Sequence, residues 1–148
     1  MSLKKYQNKR DFKHTQEPLG IIEKGSGNKY FIHEHHASRL HWDLRLEKDR
    51  VLKSWAAPKE PPQEPGIRRL AVQVEDHPLE YGSFEGTIPE GEYGAGTVKI
   101  WDKGTYDTHT CTDEKIYITI HGVKLNGGYE LIQFKKAGEK EWLFFKKR

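Results

Sequence analysis

The sequence has little cysteine and no long apolar stretch. Cys111 is the only cysteine among 148 residues, so neither an intramolecular disulfide nor a cysteine-rich zinc site can form. No apolar run approaches membrane-spanning length, and the first residues lack the apolar core of a signal peptide. We therefore expect no membrane partner and a reducing, cytoplasmic setting.

Apolar residues are scarce as well, at 34% of the chain against 32% charged residues. A chain of 148 residues with this composition can enclose one thin core, which indicates a single folded domain. The formal net charge is only +3, so overall charge does not identify a nucleic-acid partner. Residues 1–20 are basic and lack sustained periodicity, and we expect them to form an arm ahead of one domain over residues 21–148.

Helical spacing of apolar residues is nearly absent, and short β-rich runs take its place. These runs cover roughly residues 29–34, 39–47, 51–57, 68–76, 96–101, 115–121, 128–134 and 141–146. The sequences EKDR, DKGT, LNGG and AGEK have turn chemistry and predict hairpins. About eight short antiparallel strands with little helix predict an all-β fold, a barrel or a sandwich, and we predict a compact, closed or partly closed β-barrel because closure removes exposed edges.

The strand predicted over 39–47 has an unusual polar face. Its apolar side chains are Leu40, Trp42, Leu44 and Leu46, and its alternate positions carry His41, Asp43 and Arg45. Alternate side chains of a strand lie roughly 6–7 Å apart on one face, so His41 and Asp43 can share one ion, and His35 can return across the HASR bend as a third ligand. Manganese, zinc and iron(II) all suit two imidazoles and a carboxylate. The simpler alternative is a polar face in contact with water.

Two observations favour a site over a solvated face. Three histidines (His33, His35 and His36) precede the strand, and a solvent face rarely concentrates imidazoles in this way. The run RRLAVQVEDHPLEYG also has a polar face, which carries Arg69, Gln73, Glu75 and His77. With the arginine at 45 and Tyr81, the two polar strands predict a phosphate cradle around a metal.

Two irregular stretches, PKEPPQEPGI and EGTIPEGEYGAG, are the candidate binding loops, but neither contains a motif for a specific chemistry. Lys59, in WAAPKEPP, is a single cation at a proline-rich loop. The glycine-rich GTIPEGEYGAGT lacks the terminal Gly-Lys-Ser/Thr of a phosphate-binding P-loop. We interpret it as a wide connection between strands and assign it no chemistry.

Taken together, these stretches closely resemble the 3′-phosphoesterase module of the bacterial end-joining DNA ligase D and its stand-alone relatives. The resemblance is carried by HEHHASRLHWDLRLE, LKSWAAPK, RLAVQVEDHPLEYGSFEGTIPEGEYGAGTV and WDKGTY, and it extends from NKRDF to EWLFFKKR. It implies a β-barrel with a divalent metal, with Mn²⁺ favoured and Zn²⁺ or another transition metal allowed. It also implies removal of a 3′-terminal ribonucleoside to leave a 3′-phosphate, and then removal of that phosphate to leave a 3′-hydroxyl.

The resemblance also implies roles for individual residues. The family's metal ligands match His35, His41 and Asp43. Its phosphate-contacting arginine and the residues needed for phosphate removal match Arg45, His77 and Tyr81. Positions that support activity or contact the end match Arg10, Asp11, Lys59 and Arg69. The implied substrates are the 3′ ends of DNA or of DNA–RNA primer-templates.

Two further predictions concern partners and alternatives. No stretch resembles a ligase nucleotidyl-lysine motif or a polymerase module, so we expect a ligase and a polymerase to act in trans. One alternative is an iron(II) oxygenase, in which His77 replaces His35 in a facial triad with His41 and Asp43. The other is a non-catalytic nucleic-acid-binding barrel whose histidines are structural or bind zinc.

Overall fold

Nine β-strands provide most of the regular structure in a computed structural model of the chain, which describes residues 3–20 and 25–148. The strands are β1 (Lys29–His36), β2 (Leu40–Lys48), β3 (Val51–Ala57), β4 (Arg68–His77), β5 (Gly86–Ile88), β6 (Gly96–Cys111), β7 (Lys115–His121), β8 (Asn126–Gln133) and β9 (Glu141–Lys146). Helix is limited to α1 (Lys4–Asn8) and a 3₁₀ turn at Leu79–Ser83. Within the described ranges, no helix has the length and apolar character needed to span a membrane.

Eight of the strands close into an antiparallel barrel. Their order is β1-β2-β3-β4-β9-β8-β7-β6, and β1 also pairs with β6, which closes the ring. The short β5 pairs with the first residues of β6 outside this ring. The predicted all-β barrel is therefore confirmed, with one additional strand.

The barrel interior contains the main hydrophobic core. Cross-strand pairs such as Ile32 with Leu44, and Leu44 with Trp55, direct alternate side chains inward. Fully burying one such aliphatic or aromatic side chain stabilises the fold by about 1.5–3 kcal/mol. The remaining core residues are Tyr30, Leu46, Ala71, Tyr106, Ile118, Ile120, Leu125, Tyr129, Leu131, Trp142 and Phe144.

The outer wall formed by β1 to β4 is also buried. A second cluster on this wall consists of Tyr6, Phe31, Leu52 and Tyr81, with Phe12, Leu79 and Phe84 packed against it. Residues 3–20 and the segment after β4 therefore cover the outer face of the sheet. As a result β2 is buried on both faces, and the polar alternation of its sequence does not face water. The predicted boundary between arm and domain adjoins residues 21–24, which lie outside the described residues.

The turn prediction is confirmed at EKDR and wrong at DKGT. Asp49 and Arg50 have φ angles of 52° and 66°, as a two-residue hairpin turn requires. Residues 102–105, in contrast, continue β6 from its pairing with β1 to its pairing with β7. A Cβ at Gly104 would lie 2.0 Å from the carbonyl oxygen of His121, so this glycine permits close backbone approach.

Asp102 fastens the β7–β8 loop to the barrel. Its buried carboxylate accepts hydrogen bonds from the Tyr30 hydroxyl at 2.9 Å and from three backbone N–H groups of the loop, those of Val123, Lys124 and Leu125. We expect Asp102→Ala to lower the free energy of unfolding by about 3 kcal/mol or more, because buried donors lose their acceptor. Urea denaturation measures this change, and the exposed Asp107→Ala provides the comparison. Equal stabilities of the two variants would contradict the assignment.

Candidate functional site

The β1–β2 hairpin brings three potential metal ligands together on the outer wall. His35 lies directly opposite His41, and their ring centroids are 4.7 Å apart. Asp43, two residues further along β2, has Oδ2 3.7 Å from His35 Nδ1 and Oδ1 3.3 Å from His41 Nε2. The donor atoms of all three residues lie within 4.8 Å of one another. The predicted constellation therefore exists as a geometric cluster.

The two imidazoles are oriented for an ion by their outward-facing nitrogens. His35 Nε2 donates to the Gly94 carbonyl at 2.7 Å, and His41 Nδ1 donates to the Arg39 carbonyl at 3.1 Å. A carbonyl can only accept, so in each neutral ring the lone pair lies on the nitrogen that faces Asp43. Metal-bound histidines commonly have such second hydrogen bonds. The donor set therefore fits a divalent transition-metal ion.

Electrostatics keeps the central carboxylate ionised. Burial opposes ionisation, but the neighbouring imidazoles of His35 and His41 and the charge of Arg45 hold the pKa of Asp43 well below its usual range. Burial also lowers the pKa of His41, and the hydrogen bond and charge of Asp43 outweigh it, so the pKa of His41 is raised. A cation would compete with this proton for the ring.

Arg45 is held in three directions next to this cluster. Its Nε donates to His33 Nδ1 at 2.9 Å, its Nη1 to Ser54 Oγ at 2.8 Å, and its Nη2 to Asp43 Oδ2 at 3.4 Å. The residue is only 3% exposed. Three of its five N–H donors are thus committed to the protein and fix the plane of the guanidinium, which leaves two for a ligand.

A cavity of about 270 Å³ opens over the cluster. Seven of the residues that the sequence predicts for the site line it: Arg10, His35, His41, Asp43, Arg45, His77 and Tyr81. Three others lie outside its lining: Asp11, whose carboxylate contacts His14, Arg69, whose Nε donates to the Glu60 carbonyl, and the exposed Lys59. The structure thus brings together the predicted metal and phosphate residues and leaves three supporting residues apart from them.

His77 is buried close to the charges of two arginines. Burial and then the charges of Arg45 and Arg10 hold the pKa of His77 well below its ordinary value, so the ring is neutral. Its Nδ1 donates to the Glu75 carbonyl at 2.9 Å, and its Nε2 lies 3.4 Å from Arg10 Nη2, from which it can accept. In this state the free nitrogen of His77 is a hydrogen-bond acceptor.

Two buried glutamates attach the amino-terminal arm to this site. Arg10 Nε donates to Glu17 Oε2 at 2.8 Å, and Arg10 Nη1 donates to Glu75 Oε2 at 3.2 Å. The Tyr81 hydroxyl donates to the same Glu17 oxygen at 2.8 Å. Sequence analysis missed Glu17, because its partners are distant in the chain and no local pattern marks it.

The predicted polar face of β4 is only partly correct. A bulge in the β3–β4 pairing between Leu52 and Ser54 places Gln73 opposite the core residue Trp55, away from the cavity. Beyond this irregularity Glu75 and His77 line the cavity. A strict alternation of side chains could not anticipate the extra residue.

The glycine-rich connection also contributes to the site, contrary to our interpretation. Tyr93 and Gly94 line the cavity, and the Gly94 carbonyl accepts the hydrogen bond that orients His35. Gly94 has a φ of 76°, a conformation that favours glycine. The sequence shows no motif for this role, because the connection orients His35 through a backbone carbonyl.

His33, which accepts a hydrogen bond from Arg45 Nε, allows the effect of this buried charge on a neighbouring pKa to be tested. Burial and the neighbouring Arg45 lower the pKa of His33 to about 3. In the unfolded chain the pKa of a histidine is about 6.5, so on acidification the unfolded state binds a proton before the folded state does. The contribution of His33 to the free energy of unfolding is therefore complete above pH 6.5 and declines toward pH 3. We expect the ring resonances of His33 in NMR spectra of the metal-free protein to stay constant from pH 8 to pH 5. An inflection between pH 6 and 7 would contradict this environment.

Comparison with known proteins identifies the family. Residues 33–133 match the family described as the DNA ligase D 3′-phosphoesterase domain. The multifunctional non-homologous end joining protein LigD of Mycobacterium bovis is 48% identical over 137 residues, which cover 88% of this chain and 18% of that protein. The LigD protein of Pseudomonas aeruginosa is 45% identical over 153 residues, covering 97% of this chain and 18% of that protein. The chain thus spans about a fifth of the length of these relatives, and it belongs to the DNA ligase D 3′-phosphoesterase domain family.

Proposed function

We propose that this protein is a metal-dependent enzyme that repairs the 3′ ends of DNA. It removes a 3′-terminal ribonucleoside as a phosphodiesterase and then removes the remaining 3′-phosphate as a phosphomonoesterase, which leaves a 3′-hydroxyl. The observation that supports this most directly is the convergence of three metal ligands with Arg45, Arg10, His77 and Tyr81 in one cavity. These groups provide the charge neutralisation and proton transfer that phosphoryl chemistry needs.

The charge balance of the cavity supports a requirement for a cation. Two buried guanidiniums, those of Arg10 and Arg45, and the ammonium of Lys9 pair with three buried carboxylates, those of Asp43, Glu75 and Glu17. Because these cations are already neutralised by carboxylates, a phosphate would gain little net attraction without a further cation. A divalent ion bound by His35, His41 and Asp43 supplies Lewis-acid stabilisation of charge on phosphate oxygens. Mn²⁺ accepts both nitrogen and oxygen ligands, and we propose it as the working metal.

Three other side chains of the site would bind the phosphate. The two uncommitted N–H donors of Arg45 would bind one phosphate oxygen, and the guanidinium of Arg10 would bind another. Burial raises the pKa of Tyr81, so its hydroxyl keeps its proton, and a phosphate oxygen would compete with Glu17 for that hydrogen bond.

We propose that His77 changes its protonation state with the substrate. Burial and the neighbouring arginines lower the pKa of His77 in the free site, and a bound phosphate would partly neutralise the arginines and raise that pKa again. His77 Nε2 could then take a proton and pass it to the leaving oxygen. This places His77 as the general acid in phosphate removal.

Further contacts to the DNA would come from outside the cavity. We propose that Lys59, Arg69 and Asp11 support binding of the strand that carries the 3′ end, as the family resemblance implies. Sealing and extension would be performed by a ligase and a polymerase, and the relatives named LigD are multifunctional end-joining proteins. The oxygenase alternative is not favoured, because His77 lies outside the cluster formed by His35, His41 and Asp43.

The proposed activity can be tested on a labelled primer-template that ends in one ribonucleotide. With Mn²⁺ we expect stepwise conversion of the primer to a 3′-phosphate and then to a 3′-hydroxyl product. EDTA and the His41→Ala variant should stop both steps. Metal-independent duplex binding with an unchanged primer terminus would instead identify a non-catalytic binding barrel.

A further inference from the structure

A second group of potential ligands lies where the amino-terminal arm meets the β5–β6 connection. Asp11 and His14 belong to the arm, and Glu92 belongs to the connection. His14 Nδ1 is 2.9 Å from Asp11 Oδ2 and 3.9 Å from Glu92 Oε1. The donor atoms of the three residues all lie within 4.8 Å of one another. The group shares no residue with the cluster of His35, His41 and Asp43.

The arm presents its two ligands on a defined turn. The His14 N–H donates to the Asp11 carbonyl at 2.9 Å, and the Lys13 N–H donates to Asp11 Oδ1 at 3.1 Å. The second of these bonds fixes the carboxylate of Asp11 and leaves its Oδ2 directed at His14. Little rearrangement is therefore needed for both side chains to approach one ion.

Glu92 supplies an independent sign of a missing ligand. Its Oε1 is buried and has no hydrogen-bond partner within residues 3–20 and 25–148. The Glu92 side chain as a whole is 20% exposed, and its shielded oxygen, which lacks a donor, would gain from a bound cation. The same oxygen is the atom that faces His14.

We propose that Asp11, His14 and Glu92 form a second divalent-cation site that fastens the arm to the β5–β6 connection. Two carboxylate oxygens and one imidazole nitrogen suit Mn²⁺ or a similar ion, with water in the remaining positions. Asp11 and His14 are largely exposed, so this site binds more weakly than the buried cluster.

The position of this site links it to the main cavity. Arg10 precedes Asp11, Tyr93 and Gly94 follow Glu92, and all three line the cavity. Lys9 Nζ also lies 3.3 Å from the Tyr93 hydroxyl, so the ion would add to an existing contact between the arm and the connection. Binding at the second site would therefore hold two walls of the cavity together.

Counting bound Mn²⁺ by electron paramagnetic resonance tests the site without any activity measurement. We expect about two ions per chain in the wild type and in Glu90→Gln, an exposed control in the same connection, and about one ion in His41→Ala and in Glu92→Gln. The His41→Ala/Glu92→Gln double variant should bind almost none. One ion in the wild type, or equal counts for Glu92→Gln and Glu90→Gln, would overturn the proposal.

Limited trypsin digestion of the full chain tests the closure of the arm. At about ten times the Kd of the weaker site, Mn²⁺ should slow cleavage after Lys13 about tenfold in His41→Ala, since only the docked arm binds this ion. Adding Glu92→Gln should remove the protection, and adding Glu90→Gln should keep it. Urea denaturation is the control for folding. Equal urea midpoints of the two double variants, and of His41→Ala carrying His14→Asn, would show that differences in protection do not arise from differences in stability. Protection that persists in Glu92→Gln would refute the clamp.

Discussion

Asp43→Asn should lower both proposed phosphoesterase rates by about 10³-fold or more and should abolish tight Mn²⁺ binding. Asp43 is 6% exposed and lies between His35, His41 and Arg45. Its negative charge would therefore stabilise both the bound ion and the guanidinium of Arg45. The amide keeps the shape of the side chain and removes the charge. A loss of 10³ in rate corresponds to about 4 kcal/mol of transition-state stabilisation, which is within the range of metal-ion catalysis.

Calorimetric titration with Mn²⁺ and rates on a 3′-phosphate primer would measure these effects. The exposed Asp113→Asn makes the same change of charge away from the site and should behave as the wild type. Because the substitution leaves Arg45 without its carboxylate, folding should be checked by urea denaturation. A folded Asp43→Asn variant with rates within tenfold of the wild type would contradict the assignment of the metal site.

Arg45→Lys should reduce the rates by about 10²-fold even though the positive charge is retained. The guanidinium of Arg45 is held by three separate acceptors, those of His33, Ser54 and Asp43, and still offers donors to a ligand. A lysine ammonium is a single point with three hydrogens and cannot reach all of these positions. Removing one donor aimed at developing charge typically costs 10²–10³ in rate, so about 10² is expected here.

The comparison of Arg45→Lys with Arg45→Met separates geometry from charge. Arg45→Met should be the slower variant, because it also removes the positive charge that would bind the phosphate. Arg68→Lys, at an exposed arginine stacked on Phe145, is the matched control and should leave rates unchanged. If Arg45→Lys retained more than half of the wild-type rate, charge alone would account for the role of this residue.

The fold was largely predictable, because period-two patterns mark the positions of strands. The pairs His33 with Asp43 and His35 with His41 follow from a short hairpin between two alternating strands. The turn predicted at residues 102–105 failed, because Gly104 serves a close backbone approach and composition alone cannot separate that use of glycine from a turn.

The site was predictable where its residues lie on one hairpin and less so elsewhere. The arm contributes Glu17 and the β5–β6 connection contributes the carbonyl of Gly94. Neither contact can be recognised from the periodicity of the sequence. The bulge in the β3–β4 pairing reverses the alternation at Gln73, which depends on tertiary pairing. The depressed pKa of His77 likewise results from burial and from two arginines that the fold brings close to it.

We propose that the outer wall of the barrel holds a catalytic divalent ion between His35, His41 and Asp43. Anomalous diffraction at the manganese edge from crystals soaked in Mn²⁺ tests it most directly. We predict a strong peak about 2.0–2.3 Å from His35 Nδ1, His41 Nε2 and an oxygen of Asp43. No peak among these residues in crystals of protein whose Mn²⁺-dependent activity has been demonstrated would contradict the account.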